Sequence, residues 1–278
     1  MNARSKASAM MMSDVLSPAY VLHSRKYQDT SLIVELLTRD EGRISAVVRG
    51  ARSKRGRQAG VWQPFMPLLV SSFGRGELRT VKHAEFLQTA FYLTGDNLLL
   101  GLYVNELLVR VLSKFEAVPG VFVEYQALIN ELATISGVSG GLLSEGFTVA
   151  EPVPRYRNQA ALRLFELQLL TELGYGITFT TEAGGGAAVV SGRHYRFVPD
   201  EGFYPLAPDG DASTTTYPGE HLLAIEARQF DVDAVDRSAK YIIRLAFAGL
   251  LGGKPLNARA LFKPIAYGVK ATTAENNL

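Results

Sequence analysis

AYVLHSRKYQDTSLIVELLTRDEGRISAVVR, residues 19–49, decides the fold of the first part of the chain. It contains three runs that favour β-strands, 19–26, 31–38 and 43–49, and in the last run apolar and polar residues alternate, as they do in a strand that buries one face. Asp40-Glu41-Gly42 is a typical turn sequence between two such runs. In the last run, one face is apolar and is predicted to point inward, namely Ile44, Ala46 and Val48; the opposite face carries Arg43, Ser45, Val47 and Arg49.

Two further strands are predicted over 66–73 and 77–86, joined by the turn Gly74-Arg75-Gly76. No helical stretch separates the five runs. Five strands in about seventy residues are typical of a small closed barrel of the OB type, here with one long cationic loop. An SH3-like barrel fits almost as well, because strand count does not fix topology.

Helical periodicity follows after residue 95 and predicts helices over 98–115, 121–135, 158–174, 219–229 and 234–251. Asn158 is predicted to cap the third helix, which ends at Gly174. Asp233 and Asp236 have the spacing of a capping box at the start of the last helix.

The predicted fold class is therefore α+β with several domains. We expect a disordered leader over 1–14, a five-stranded OB-fold domain over 15–86, and a helical domain over 87–278. Within the helical domain, residues 177–218 read as a small irregular insertion of short strands and turns.

The charges are strongly segregated, although the formal net charge is only +2. Residues 41–82 contain nine Lys or Arg and two acids, whereas residues 83–236 contain eight basic and twenty acidic side chains. Residues 237–274 contain seven basic side chains and no acid. Two cationic segments around an acidic middle favour a polyanion as partner, provided that the fold brings them to one side.

Composition excludes several classes of protein. No apolar run approaches the roughly 20 residues of a membrane span, and the N-terminal residues make a poor signal peptide. Cysteine is absent, and the four histidines show no metal-ligand spacing, so neither a disulfide nor a metal or other cofactor is predicted. The cytoplasm is the expected location.

Motifs for catalysis fail on inspection. The run GLLGGKP (249–255) has Ala248 in place of the first glycine of a phosphate-binding loop and Pro255 in place of its Ser or Thr. The run AGGGAAVV (183–190) lacks dinucleotide-binding spacing, and no serine stands in a nucleophile elbow. We expect a protein that is not an enzyme.

The run RGARSKRGRQAGVWQPF (49–65) places five cations in nine residues and then turns aromatic. Such a loop reaches several phosphates at once, which favours sequence-independent contact with a nucleic-acid backbone. Trp62, Phe65 and Phe73 are candidates for base stacking, although Phe65 between two prolines is expected more often in the core. Arg163 lies on a largely apolar helix, where it either extends to solvent, as the sequence favours, or receives a partner's carboxylate.

Several of these stretches together resemble the RecO family of bacterial recombination mediators. They are the opening stretch continued through GARSKRG, WQPFMPLLV with GRGELRT, GLYVNELLVRVL, ALRLFELQLLTELGYG and LGGKPLNARALF, in the family's order over about residues 18–268. The resemblance implies an OB-fold, a helical domain and an insertion of the zinc-binding type. Many members carry four cysteines there; this chain has none, so it resembles the zinc-free branch.

The resemblance also implies binding of single- and double-stranded DNA, strand annealing, and loading of RecA together with RecR and the acidic tail of single-stranded DNA-binding protein. The predicted DNA contacts are Arg43, Arg49, Arg52, Lys54, Arg55, Arg57, Phe73, Arg75, Lys240, Arg244, Lys254, Arg259 and Lys263. The predicted tail contacts are Arg163, Leu162 and Phe165. Two other functions remain open from the residues alone: an RNA-binding OB protein, and a scaffold whose basic loop binds acidic protein tails.

Overall fold

The structure, a computed structural model, describes residues 15–53, 60–87, 91–135, 155–206 and 215–258. The predicted leader lies outside these residues. So do five of the predicted DNA contacts, namely Lys54, Arg55, Arg57, Arg259 and Lys263.

The first strands form a closed barrel. They are β1 (Ser17–Tyr27), β2 (Ser31–Thr38), β3 (Gly42–Val48), β4 (Pro67–Phe73) and β5 (Leu78–Phe86). Their order is β1-β2-β3-β5-β4; β3 runs parallel to β5, and β1 closes onto β4. This topology confirms the predicted OB-fold, and the SH3-like alternative is wrong.

The alternation in β3 places its side chains as predicted. Ile44, Ala46 and Val48 are at most 3% exposed and lie in the barrel interior. Burial of each large apolar side chain contributes roughly 1.5–3 kcal/mol, so this pattern fixes the register of the strand. The opposite face of β3 points out of the barrel, so Arg43, which lies on that face, is outside the barrel interior.

The helices of the structure are α1 (Gly95–Val111), α2 (Pro119–Ile135), α3 (Arg155–Glu172), α4 (Gly219–Glu226) and α5 (Asp233–Leu250). The predicted end of α3 is confirmed: Gly174 has φ +84°, and the Tyr175 N–H donates to the Leu170 carbonyl at 2.8 Å. The predicted cap at its start is wrong. The helix begins at Arg155, and the Asn158 amide instead donates to the Asn97 side chain.

The predicted capping box of α5 is also wrong. Its N-cap residue is Val232, and no side chain caps the helix. Asp236 turns toward α3 and accepts a hydrogen bond from Arg163. A carboxylate near a helix start complements the helix dipole in either arrangement, which is why spacing alone did not separate them.

The insertion is a small sheet, as predicted. It contains β6 (His194–Val198), β7 (Gly202–Pro205) and β8 (Tyr217–Pro218) in the order β7-β6-β8. Its buried side is aromatic: the Phe203 ring lies 5.0 Å from that of Phe197 and 5.5 Å from that of Phe179. These rings supply apolar burial inside the insertion.

The barrel packs against α1 and α2 and shares their core. Four barrel residues, Tyr20, Leu22, Leu37 and Phe65, belong to the same buried cluster as the helices. At this junction the Asn105 amide donates to the Leu22 carbonyl at 3.0 Å. The domain boundary at residues 86/87 therefore stays a prediction. Within the described ranges, every helix is too short or too polar to cross a bilayer.

Candidate nucleic-acid interface

Three cations lie close together where β1 and β3 end. Lys26 pairs with Leu32, which in turn pairs with Val48, the residue before Arg49. Arg25, Lys26 and Arg49 are all exposed. Strand pairing thus gathers positive charge that the sequence separates by more than twenty residues.

Arg52 joins this group through the start of the loop that follows β3. Its backbone N–H donates to the Thr30 carbonyl at 2.8 Å, and its guanidinium lies 3.5 Å from the Gln28 carbonyl. The start of the loop is thereby held against the β1–β2 turn. We call Arg25, Lys26, Arg49 and Arg52 the basic edge.

Arg25 and Lys26 were missed by the sequence analysis. The signal was available, because two consecutive cations follow the apolar residues of β1 in the run HSRKY. It was passed over because Arg25 and Lys26 lie outside the acid-poor segment 41–82, and only strand pairing brings them beside Arg49.

A row of paired residues crosses the outer face of the barrel from the basic edge. Arg25 pairs with Ile33, Ile33 with Val47, Val47 with Thr80, and Thr80 with Phe73. Phe73 is 47% exposed, and Arg75 is exposed in the turn that follows. Two of the predicted contacts, Phe73 and Arg75, therefore lie at the β4 end of this row.

The other two aromatic candidates belong to the core. Trp62 is 2% exposed inside the barrel, and Phe65 is 4% exposed in the cluster shared with the helices. The expectation of core packing for Phe65 is confirmed. Neither ring is accessible for stacking on a base.

Arg43 lies on the outer face of β3, as predicted, but the helices cover it. Its guanidinium donates to the Val109 carbonyl of α1 at 2.6 Å and lies 3.6 Å from Glu35. Its side chain is only 15% exposed. The expectation that Arg43 extends the open cationic surface is corrected accordingly: it holds the barrel against α1.

The second cationic segment begins on α5. Lys240 and Arg244 lie one turn apart and are half-buried, and Lys254 is exposed just beyond the helix. Burial lowers the pKa of Lys240, as do the like charges of Arg244 and Arg163, while Asp236 and Glu166 oppose the shift. The net charge of this group is positive by one, because it comprises the three cations Lys240, Arg244 and Arg163 and the two acids Asp236 and Glu166.

The end of α5 is fixed to α1, near the barrel. The Arg110 guanidinium donates to the carbonyls of Leu251, Lys254 and Pro255 at 2.9, 3.0 and 3.2 Å. Because Arg110 follows Val109, which binds Arg43, the same turn of α1 contacts both the barrel and the Lys254 segment. Lys254 is thus held close to the junction of barrel and helices.

Arg163 is buried rather than extended to solvent. Its side chain is 6% exposed; it pairs with Glu166 on its own helix and with Asp236 of α5 at 3.0 Å. The Tyr103 hydroxyl donates to Glu166 at 2.5 Å and brings α1 into the network. Burial by itself lowers the pKa of Arg163, but Glu166 and Asp236 outweigh it and raise that pKa above its usual value.

Two residues predicted to flank Arg163 in a partner site are also in the core. Leu162 is 5% exposed and Phe165 2%, so their side chains present little surface to a peptide. On this part of the molecule the exposed apolar side chains are Leu164 on α3 and Tyr241 and Leu245 on α5. The expectation that Leu162 and Phe165 contact a partner's tail is corrected by this placement.

The described residues of the insertion offer no ligand set for a metal. The chain has no cysteine, and among the described residues no group of His, Asp or Glu is placed to hold a metal. Polar contacts connect the insertion instead. The Tyr195 hydroxyl accepts from the Val190 N–H at 2.8 Å and donates to Glu182 at 3.1 Å.

A cleft of about 540 Å³ lies between the end of α3, the insertion and Ala246 of α5. Three carboxylates line it, those of Glu182, Asp200 and Glu201, and none of its lining residues is cationic. Its charge repels phosphate, so we do not place nucleic acid there. The basic edge remains the better site.

Comparison with known proteins agrees with this architecture. The family model described as "Recombination protein O N terminal" matches residues 12–90. The chain is 42% identical over 246 residues to the DNA repair proteins RecO of Salmonella typhimurium and Salmonella typhi, covering 88% of this chain and 92% of each relative. This chain belongs to the RecO family. As a RecO protein it has a role in DNA repair and recombination, and its barrel is the N-terminal OB-fold of that family.

Proposed function

We propose that this chain is a non-catalytic recombination mediator that holds the backbones of single- and double-stranded DNA on the basic edge. The observation that carries the proposal is the clustering of Arg25, Lys26, Arg49 and Arg52 by strand pairing. Phosphate contact of this kind does not read base sequence. The proposed location of the protein is the cytoplasm, at the nucleoid.

Annealing of complementary strands follows from the same chemistry. Two single strands repel each other through their phosphates, and cations that neutralise some of those charges lower the repulsion. The loop cations Lys54, Arg55 and Arg57 and the segment from Lys240 to Lys263 add to the charge available. No group on the chain has to make or break a covalent bond.

The partners proposed are RecR and the acidic C-terminal tail of single-stranded DNA-binding protein, with RecA loaded as the result. For the tail, the exposed strip of α5 supports a site beside Arg163. Lys240 and Arg244 supply positive charge there, and Tyr241 and Leu245 supply exposed apolar surface. An acidic peptide with apolar residues matches both features.

The DNA site is tested with the double variant Arg52→Glu/Arg55→Glu. We expect weaker binding to every DNA sequence and a flatter dependence of affinity on salt, because fewer phosphates are neutralised. Fluorescence anisotropy with two unrelated oligonucleotides over a salt series measures both quantities. Arg193→Glu/Arg196→Glu, which makes the same charge change at two exposed residues of the insertion, serves as the control for folding and overall charge.

An unchanged affinity and an unchanged salt slope in the double variant would remove the loop from the site. Competition between DNA and RNA single strands of equal length tests the RNA-binding alternative, which a clear preference for RNA would favour. If the chain shifts no nucleic acid at low salt, the scaffold alternative replaces the proposal.

A further inference from the structure

The outer face of the barrel carries an exposed aromatic side chain at the far end of the row that begins at Arg25. Phe73 is 47% exposed, so much of its ring is open to a ligand. It is joined to Arg25 through three intervening paired residues. A cation and an aromatic ring thus stand at the two ends of one row of paired residues on the outside of the barrel, and Ile33 within that row is 6% exposed.

The turn that presents Phe73 is held rigidly. The Arg79 guanidinium donates to the Gly74 carbonyl at 2.7 Å, pairs with Glu41 at 3.1 Å, and lies 4.9 Å from the Phe115 ring. These contacts join the turn after Phe73 to the β2–β3 turn and to the segment after α1. A ring presented by a fixed turn loses little conformational freedom when it binds.

The turn after Phe73 carries both signs of charge: Arg75 is exposed two residues beyond Phe73, and the exposed acid Glu77 pairs with Lys114 at 3.7 Å. Lys82 is exposed two residues beyond Thr80, the pairing partner of Phe73. Base faces are available for stacking in a single strand but are covered by their neighbours inside a duplex. Phosphates, in contrast, are equally accessible in both forms.

We infer that Phe73 stacks on an unpaired base and so makes the outer face of the barrel prefer single-stranded DNA over duplex. This inference rests on the proposed function and adds to it separate roles for the cations and for the aromatic ring. The cations of the basic edge hold either form, and the ring recognises the form whose bases are open. Trp62 and Phe65 take no part, because both rings are buried.

The test compares Phe73→Ala with the wild-type chain on a single strand and on a blunt duplex of the same sequence. Stacking contributes enough per base that affinity for the single strand should fall about 5- to 150-fold, with less than about a twofold change on the duplex. The salt slope should not change, since no cation is removed. Phe86→Ala is the matched control, because Phe86 is 52% exposed on the neighbouring strand but off the row.

A second variant reports contact directly. Phe73→Trp keeps an aromatic ring, so single-strand affinity should be retained, and the new indole fluorescence should be quenched by a single strand but not by duplex. The native Trp62 gives a constant background because it is 2% exposed.

Equal losses on both DNA forms, or an equal loss in Phe86→Ala, would overturn the inference. So would full single-strand affinity in Phe73→Ala. Each of these results requires that the wild-type chain binds DNA; if it binds neither form at low salt, the proposed function itself has failed.

Discussion

At the scale of single residues, the most consequential side chain is Arg163. A lone arginine on an apolar helix usually extends its charged end to water, but here the end is enclosed with Glu166 and Asp236. Asp236 is 73 residues away along the chain, so no local pattern could have identified it as the partner. The sequence showed that Arg163 was unusual, and only the packing of α3 against α5 showed why.

This arrangement predicts the effect of Arg163→Ala. Removal of the guanidinium leaves two carboxylates buried without their cation, and we expect the free energy of unfolding to fall by about 3–5 kcal/mol. Urea denaturation measures the change, with Arg157→Ala as the control because the Arg157–Glu131 pair is half-exposed and should contribute less than about 1 kcal/mol. Equal stability in the two variants would contradict the buried network.

The same result bears on the proposed tail site. Loss of acidic-peptide binding in Arg163→Ala counts as loss of a contact only if the variant remains folded. Lys240→Ala separates the two effects, since its ammonium is on the half-buried surface of α5 and lies outside the ion pairs of Arg163.

At the scale of elements, strands were easier to predict than the contacts between them. Short runs bounded by turn sequences placed all five barrel strands to within about two residues, and alternation assigned the two faces of β3. Alternation could not show that α1 covers Arg43 and leaves Arg49 exposed, because a period of two places both arginines on the same face. The start of α3 was misplaced for a related reason: Asn158 has the chemistry of a cap, but its amide is used between helices.

The turn between β2 and β3 makes a prediction at this scale. Gly42 has φ +67°, and a Cβ there would lie 1.7 Å from the Glu116 carbonyl oxygen, in the segment that joins α1 to α2. Gly42→Ala therefore strains the turn and separates the barrel from that segment. We expect a loss of at least about 2 kcal/mol in the free energy of unfolding.

Gly60→Ala is the control for Gly42→Ala, because a Cβ at Gly60 meets nothing within 4 Å. Both variants are compared by urea denaturation. If Gly42→Ala proves as stable as the control, the close approach of the two segments is not present in solution.

At the scale of the whole molecule, the positive and negative charges that are separated along the sequence lie on different surfaces. The basic edge lies on the barrel, while three carboxylates line the cleft beside the insertion. The sequence predicted this separation but not its geometry, since strand pairing is what adds Arg25 and Lys26 to the edge. The buried cluster that runs from the barrel into the helices joins these surfaces into one unit.

That shared cluster predicts how stability depends on alkaline pH. Tyr20 lies in it, with its ring centre 5.1 Å from that of Tyr125 and 5.6 Å from that of Phe122. Burial raises the pKa of Tyr20 from 10.0 to about 12, and an interaction with Gln126 offsets a part of the rise. Because the unfolded chain loses this proton first, the stabilisation is complete below pH 10 and is lost as the pH rises from 10 to about 12.

Tyr20→Phe removes the ionising hydroxyl while it keeps the ring. We expect the free energy of unfolding to decline less steeply over this pH range than in the wild-type chain, with the remaining slope due in part to Tyr125, whose pKa burial also raises. Tyr92→Phe should retain the wild-type slope, because Tyr92 is 59% exposed. If Tyr20→Phe and the wild-type chain lose stability equally between these pH values, Tyr20 is accessible to water, and the barrel does not share its core with the helices as described.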